Sequence, residues 1–397
     1  MSIAQMYAKI ANAGTGSERE ASKILPIRDF NNWAKSALIN LAIKQLKGSN
    51  FTVLDIACGK GGDLNKYKQG KISYYTGVDI TLESLVEAMR RYNGNVVKNA
   101  NSIYQADFLW ADFFQKEVYK FIKPTIKFNI ISCMFALHYA FQTREQAMTM
   151  FRNVSQLISA NGIFIAVFPS KSTILARLEN NGYVHGQKTP IPPLQNKLYT
   201  LQFTQPHPRL RDNEFGQGYD FQLAEAVEKT TEYLIDMRDL RDVLLENSLE
   251  IRHEFPSLEA LFASNLIPGD SLRKFPRAMA RSARVLHRIN NFKSEIDEEN
   301  FWENLEEEVV IGAKKDEKVP DIVDLKQIPE VYLEVINLYQ AVMICKKGGS
   351  DGQIVRKNDR AEPRRIGDLV NLMDRDIDLE GLRESLQGRM WEPYVDE

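Results

Sequence analysis

The segment Leu54-Asp55-Ile56-Ala57-Cys58-Gly59-Lys60-Gly61-Gly62-Asp63 follows an apolar run and precedes a helical one, the place where an open α/β sheet receives a nucleotide. Glycine at such a turn lets the backbone approach a ligand closely. A dinucleotide fingerprint requires G-x-G-x-x-G, but the third position here is Leu64, so the pattern D-x-x-C-G-x-G-G suits a ligand without a pyrophosphate. Asp79 stands twenty residues after Gly59, at the end of GVD, where a carboxylate can accept hydrogen bonds from both hydroxyls of a ribose. Asp107, in YQAD, is read as following the next strand and bonding an adenine amino group. Singly, these residues are equally well a tight turn and a helix cap. In this order they point to an adenosyl ligand.

The elements that must position them alternate. TVLDIAC (52–58), YYTGVD (74–79), FNIISCMF (128–135) and GIFIAVF (162–168) are short, β-rich apolar runs. SIYQADF (102–108) reads as a further strand and LYQAVMICKK (338–347) as a late one. Helical stretches such as LESLVEAMRRY (82–92) and TREQAMTMFRNVSQLIS (143–159) lie between them, which predicts βαβ units and a parallel sheet. The rhythm breaks over 175–235, where a Pro-rich PIPPLQ, a GQGYDF turn and scattered aromatics suggest an insertion over the ligand edge of the sheet. Residues 256–335 read as helical and charged, EIDEENFWENLEEE (295–308) being a solvated face. From 348 to 397 the chain is polar and Gly/Pro-punctuated and reads as a flexible or loosely docked extension.

Composition narrows the function classes. The 397 residues, 44% hydrophobic and 26% charged, suffice for one large domain or two small ones. No apolar run approaches the ~18 residues of a membrane helix, and the start lacks a secretory plan, so an intracellular protein with no membrane partner is expected. Cys58, Cys133 and Cys345 form no CxxC pair, which argues against a disulfide framework and a zinc site and for reduced, buried thiols. With a net charge of −2, any nucleic-acid contact must come from a local basic cluster, which disfavours a long RNA footprint.

RDFNNWAKSALI (28–39), VLDIACGKGGDLNKYKQGKI (53–72), VDITLESLVEAMRRY (78–92), FNIISCMFALHYAF (128–141), NGIFIAVFPS (161–170) and GYDFQLAEAVEKTTEYL (218–234) resemble, in order, the blocks of the cellular and viral mRNA cap guanine-N7 methyltransferases. The resemblance runs over about residues 28–346. It implies a class I, Rossmann-like α/β methyltransferase fold: a mixed, mostly parallel sheet of seven strands, the last antiparallel, with helices on both faces. Residues 1–347 would be the catalytic domain, with the 175–235 insertion forming part of the cap pocket.

For the cofactor, S-adenosyl-L-methionine, the resemblance implies Lys35 on the methionine carboxylate, Asp55 and Gly59 on the methionine side, Asp79 on the ribose, Asp107 on the adenine and Met134 beside it. For the cap it implies Asn31, Lys60, Asp63, Arg91, His138, Tyr139, Pro169, Glu232 and Tyr339, with His138, Tyr139 and Glu232 positioning the guanine. No metal and no proton-transferring residue is implied. Met134 stands where many relatives have glutamine, and Thr231 where they have proline before the pocket acid. By itself Tyr339 is equally well a core residue, and Lys66, Lys68 and Lys71 equally well a solvated helix face.

The chemistry fits these residue types. Guanine N7 carries a lone pair and no proton, so methylation there needs no general base and can rest on alignment and electrostatics. Glu232 can accept from guanine N1 and N2, Phe135, Tyr139 and Tyr339 offer stacking faces, and Lys60 and Arg91 can meet a triphosphate. The implied product is S-adenosyl-L-homocysteine, and the implied partners are 5′-capped mRNA, other capping enzymes or RNA polymerase. The expected state is a monomer, nuclear, or cytoplasmic for a viral or specialised parasite enzyme. The rivals are another RNA or small-molecule methyltransferase on the same fold, and a non-catalytic cap-binding partner.

Overall fold

The computed structural model describes residues 22–70, 72–185, 187, 190–205, 215–292, 321–348, 361–365 and 368–373. Lys71 and the acidic 295–308 stretch lie outside the described residues.

β1 (Thr52–Ile56), β2 (Tyr74–Asp79), β4 (Phe128–Met134) and β5 (Ile158–Pro169) are built from near-continuous apolar runs, so both of their faces have to be covered. Their side chains alternate between two cores. Ile163, Ile165 and Val167 point into one, together with α1 (Leu25–Gln45), α2 (Leu64–Gln69) and α3 (Leu82–Asn99). Phe164, Ala166 and Phe168 point into the other, with α4 (Arg144–Leu157) and α6 (Met237–Glu246). Helices therefore cover both faces, as expected.

With β3 (Gln105–Trp110), β10 (Leu249–Phe255), β11 (Tyr339–Lys346) and β12 (Val370–Asn371), the sheet runs in the order β10-β11-β5-β4-β1-β2-β3-β12. β11 pairs antiparallel with both β5 and β10. The expected seven strands are eight, because Val370 and Asn371 pair in parallel with Leu109 and Trp110 on the edge of β3. Of the two readings its composition allowed, flexible or loosely docked, the C-terminal extension shows docking over residues 361–365 and 368–373. Polar composition hid the few apolar anchors, Ala361, Leu369 and Leu372, all buried.

The break in rhythm after β5 resolves into α5 (Lys171–Asn180) and a second, antiparallel sheet, β6 (Leu194–Gln195), β7 (Tyr199–Phe203), β8 (Gly218–Leu223) and β9 (Val227–Tyr233). Tyr219 faces Glu232 across β8 and β9. Beyond β10, α7 (Leu258–Ala263), α8 (Gly269–Arg273), α9 (Phe275–Phe292) and α10 (Glu330–Ile336) give the helical character read for that region. Trp33 of α1 packs edge-on against Phe275 and donates its indole N–H to the Ser271 carbonyl at 3.0 Å, which fixes the helix that carries Asn31 and Lys35. Cys58 and Cys133 are buried free thiols, and Cys345 is half-buried.

Candidate active site

At the carboxyl ends of β1, β2 and β4 lies a cavity of about 640 Å³, lined among others by Lys35, Gly59, Asp79, Thr81, Met134 and Phe135. The β1 turn is held open by two left-handed glycines, Gly59 (φ +52) and Gly61 (φ +68). A Cβ placed on Gly61 would lie 2.5 Å from the Leu64 side chain, whereas one on Gly59 would meet no protein atom within 4 Å and would project into unfilled space beside the backbone. The Gly59 N–H donates to Asp79 Oδ2 at 2.8 Å, and the Thr81 N–H to Oδ1 at 2.8 Å. Each carboxylate oxygen keeps capacity for another donor. Burial pushes Asp79 above the usual carboxylate range despite these hydrogen bonds.

Lys35 reaches the cavity from α1 and pairs with Asp63 at 2.9 Å, while Lys66 pairs with the same carboxylate at 2.7 Å. Burial alone would raise Asp63, but the two ammonium groups hold it below its ordinary value. Asp63 is therefore the internal counter-ion of two lysines. Asn31 lies one helical turn before Lys35, on the same face of α1, and its buried Oδ1 has no hydrogen-bond partner.

Asp55 does not line the cavity. It sits beneath the turn, accepting from Tyr75 Oη at 2.9 Å and Ser132 Oγ at 2.7 Å, and burial followed by the charge of Asp63 raises it to about 7. It braces the strands that flank the turn. Asp107 is also misplaced in the sequence reading. Registered opposite Thr76 in mid-strand, its carboxylate is taken by the Tyr74 hydroxyl and by Arg364 at 3.1 Å. The chain runs on through Phe108-Leu109-Trp110, and it is Asp112, past the strand end, that lines the cavity. The two Ala-Asp pairs of QADFLWAD look alike in sequence, but the apolar FLW between them belongs inside the strand and singles out the second. Asp112 accepts from the Phe114 and Gln115 N–H groups at 3.0 and 3.2 Å. Thr81 and Gln146 were missed as well; Thr81 Oγ1 and Gln146 Oε1 are buried at the cavity without hydrogen-bond partners.

A second cluster adjoins this cavity through Phe135 and Tyr139, which line it too. Phe135 adopts a left-handed conformation (φ +61) and meets Tyr339 edge-on at 5.0 Å. Tyr339 is registered opposite Pro169, where β11 and β5 meet. His138, in a 3-10 turn over Leu137–Phe141, is 1% exposed, lies 4.2 Å from the Tyr139 ring and has a hydrogen bond on neither ring nitrogen. Its Nε2 is 3.5 Å from Glu232 Oε1, beyond ordinary hydrogen-bond reach. Glu232 itself is buried, and its Oε2 accepts from Tyr219 Oη at 2.8 Å. The proline replaced by Thr231 is accommodated by a cross-strand bond from Thr231 Oγ1 to Asp220 at 2.8 Å. Tyr219 escaped the sequence reading; its place opposite Glu232 depends on a pairing register that residue types alone do not reveal.

The structure thus brings Phe135, His138, Tyr139, Pro169, Glu232 and Tyr339 together beside the cavity. Arg91 is not brought to it in this way: half-exposed on α3, it is paired with Glu87 at 2.7 Å. Lys60 is half-buried in the β1 turn. Among the described residues no His/Cys/Asp/Glu group could hold a metal ion, and no helix is long and apolar enough to cross a membrane.

Residues 1–317 match the family model of the mRNA (guanine-N(7))-methyltransferase domain. The mRNA cap guanine-N(7) methyltransferase 1 of Arabidopsis thaliana is 33% identical over 268 residues, 64% of this chain and 69% of that protein. The mRNA cap guanine-N(7) methyltransferase of Drosophila melanogaster is 34% identical over 249 residues, 59% of this chain and 55% of that protein. Among solved structures, a putative S-adenosylmethionine dependent methyltransferase from Listeria monocytogenes superposes with a TM-score of 0.40 at 14% identity, covering 79% of this chain and 98% of that one.

Proposed function

The chain belongs to the mRNA (guanine-N(7))-methyltransferase family, and from that premise we propose that it transfers a methyl group from S-adenosyl-L-methionine to N7 of the guanine cap of mRNA. One observation carries the assignment of the substrate pocket: a buried histidine with both ring nitrogens unpartnered lies beside a buried glutamate already anchored by Tyr219, in an aromatic cluster that opens onto the cavity. Burying polar atoms without partners costs stability, so a site that keeps them is built for donors and acceptors from elsewhere.

The cavity fits the cofactor. Thr81 and Gln146 offer unmet polar atoms there, and the open space beside Gly59 accepts a close neighbour. Lys35 would hold the carboxylate, Asp79 the ribose hydroxyls, and Asp112, in place of Asp107, the adenine side. When bound, S-adenosyl-L-methionine would supply an electrophilic methyl group on a sulfonium, which a lone pair such as that of N7 can accept without prior deprotonation. The protein need move no proton at that atom.

Its residues position and polarise instead. Glu232 Oε1 accepts from the guanine N1 and N2 donors while Tyr219 holds Oε2, and the buried negative charge favours the positive charge that develops on the ring. His138 is left to bond the base edge or sugar, and Phe135 and Tyr339 confine the ring plane. Asn31, Lys60 and Lys66 would meet the cap's sugar and phosphates on the approach. Because Tyr339 belongs to this set, the catalytic unit extends to the end of β11, close to residue 347. A nuclear monomer that meets other capping enzymes or RNA polymerase accords with this reading.

The decisive assay offers radiolabelled S-adenosylmethionine with RNA ending in GpppA or GpppG, with triphosphate RNA and with free GTP, and locates the label after nuclease digestion. Label is expected on cap guanine N7. Label on another base, or transfer that does not depend on the cap, would refute the assignment.

A further inference from the structure

The C-terminal segment lies at the far edge of the sheet, well past the motif-bearing part of the chain. Ala361, Leu369 and Leu372 are buried anchors. Asn93 of α3 grips the backbone of Arg364 at both ends, donating from Nδ2 to its carbonyl at 2.7 Å and accepting its N–H at Oδ1 at 2.7 Å. Arg364 pairs with Asp107. The segment then joins β3, with the Leu372 N–H on the Trp110 carbonyl at 2.9 Å and Lys116 Nζ on the Leu372 carbonyl at 2.6 Å.

The direction of this added strand matters. It is parallel to β3, so it runs toward the carboxyl edge of the sheet, where the cavity opens. With Asn371 level with Trp110, Met373 falls level with Asp112, and its side chain lines the cavity alongside Asp112, Phe113 and Phe114. An antiparallel strand would have carried the chain away from the ligand edge. A methionine is also suited to the position, since its unbranched thioether conforms to a flat ring.

We propose that residues 361–365 and 368–373 form a strap that completes the nucleoside end of the cofactor site, and that Met373 packs on the adenine. This rests on the assignment of the cavity to S-adenosylmethionine. The strap makes cofactor affinity, and not the handling of capped RNA, depend on a segment outside the family-matched residues 1–317.

The test uses the full chain and titrates it with S-adenosylhomocysteine. Met373→Ala should raise Kd and the KM for S-adenosylmethionine about fivefold, the loss of roughly half a buried methionine side chain, whereas Met373→Leu should restore both. The KM for capped RNA and kcat at saturating cofactor should not change. In wild-type protein, peroxide oxidation of Met373, read by peptide mass spectrometry, should slow severalfold when S-adenosylhomocysteine is bound. An unchanged Kd in Met373→Ala, or equal oxidation of Met373 with and without ligand in a chain that binds it, overturns the strap and leaves the enzymatic reading intact. Failure of wild-type protein to bind the ligand at all overturns the cofactor assignment itself.

Discussion

The proposed cofactor and cap halves of the site are furnished differently. On the cofactor side the chain provides partners for its own carboxyl groups: Asp79 is held by two backbone N–H groups, Asp63 by two lysines and Asp55 by two hydroxyls. On the cap side Glu232 is anchored on one oxygen only, and His138 and Asn31 retain buried atoms without hydrogen-bond partners. In the first half the carboxyl groups are set before the ligand arrives, and the unmet atoms there, Thr81 Oγ1 and Gln146 Oε1, are neutral. The second has its polar contacts left to be made by a base, so it should be the half where selectivity resides, because a wrong base leaves the same atoms unmet. Changes in the two halves should therefore separate cleanly into cofactor affinity and transfer.

The largest effect is expected from Glu232→Ala. It removes the proposed guanine acceptor and leaves the Tyr219 hydroxyl buried alone, and turnover of capped RNA should fall on the order of a hundredfold or more. The Kd for S-adenosylhomocysteine should stay within about twofold, which calorimetry can check; an equal loss in both would erase the division between the halves. Next comes Asp79→Ala, which removes charge-assisted bonds of ~1.5–3 kcal/mol and should weaken cofactor binding by roughly ten- to a hundredfold. Turnover at saturating cofactor should largely survive. His138→Ala should lower transfer on the order of tenfold without unfolding the chain, since its nitrogens make no internal hydrogen bond to lose and the loss is one of packing alone. Full activity in that variant would return His138 to a packing role.

The smallest effect sharpens the comparison through pH. Asp55 is raised to about 7, first by burial and then by Asp63, so the folded protein favours its neutral form. Its contribution to stability is greatest below the ordinary carboxyl value of 3.8, declines as pH rises toward 7, and is flat above. Asp55→Asn should therefore flatten the dependence of Tm on pH between about 4 and 7 by a few degrees, with transfer at neutral pH little changed. A wild-type Tm that rises through that window no less steeply than the variant's would contradict the burial account.

The same contrast governs what the residues alone could tell. The cofactor half is written in contiguous pieces, a strand, a turn and an acidic strand end, so Gly59, Asp79 and the order of β1, β2, β4 and β5 were legible from periodicity and spacing. Even there a strand boundary misled, because Asp107 and Asp112 each close an Ala-Asp pair, and it is the apolar Phe108-Leu109-Trp110 between them, paired with β2, that puts the first in mid-strand and the second past its end. The cap half is gathered from residues 31, 138, 232 and 339, which only their likeness to a family could link beforehand. The antiparallel β6–β9 sheet hid behind prolines and a polar turn, and β12 is too short to leave a pattern.

The position of β11 has a consequence for biosynthesis. It lies between β5 and β10 and carries Tyr339, although it is encoded after all the other strands of the central sheet except β12. A nascent chain can therefore assemble the nucleotide-binding βαβ units as they emerge, but β10 has no neighbour to pair with, and the base pocket lacks one wall, until residue 346 has left the ribosome. Long-range closure of this kind comes late and slowly. The floor of the methyl donor's site is thus laid early, the acceptor's wall comes late, and the strap that ends at Met373 comes last of all.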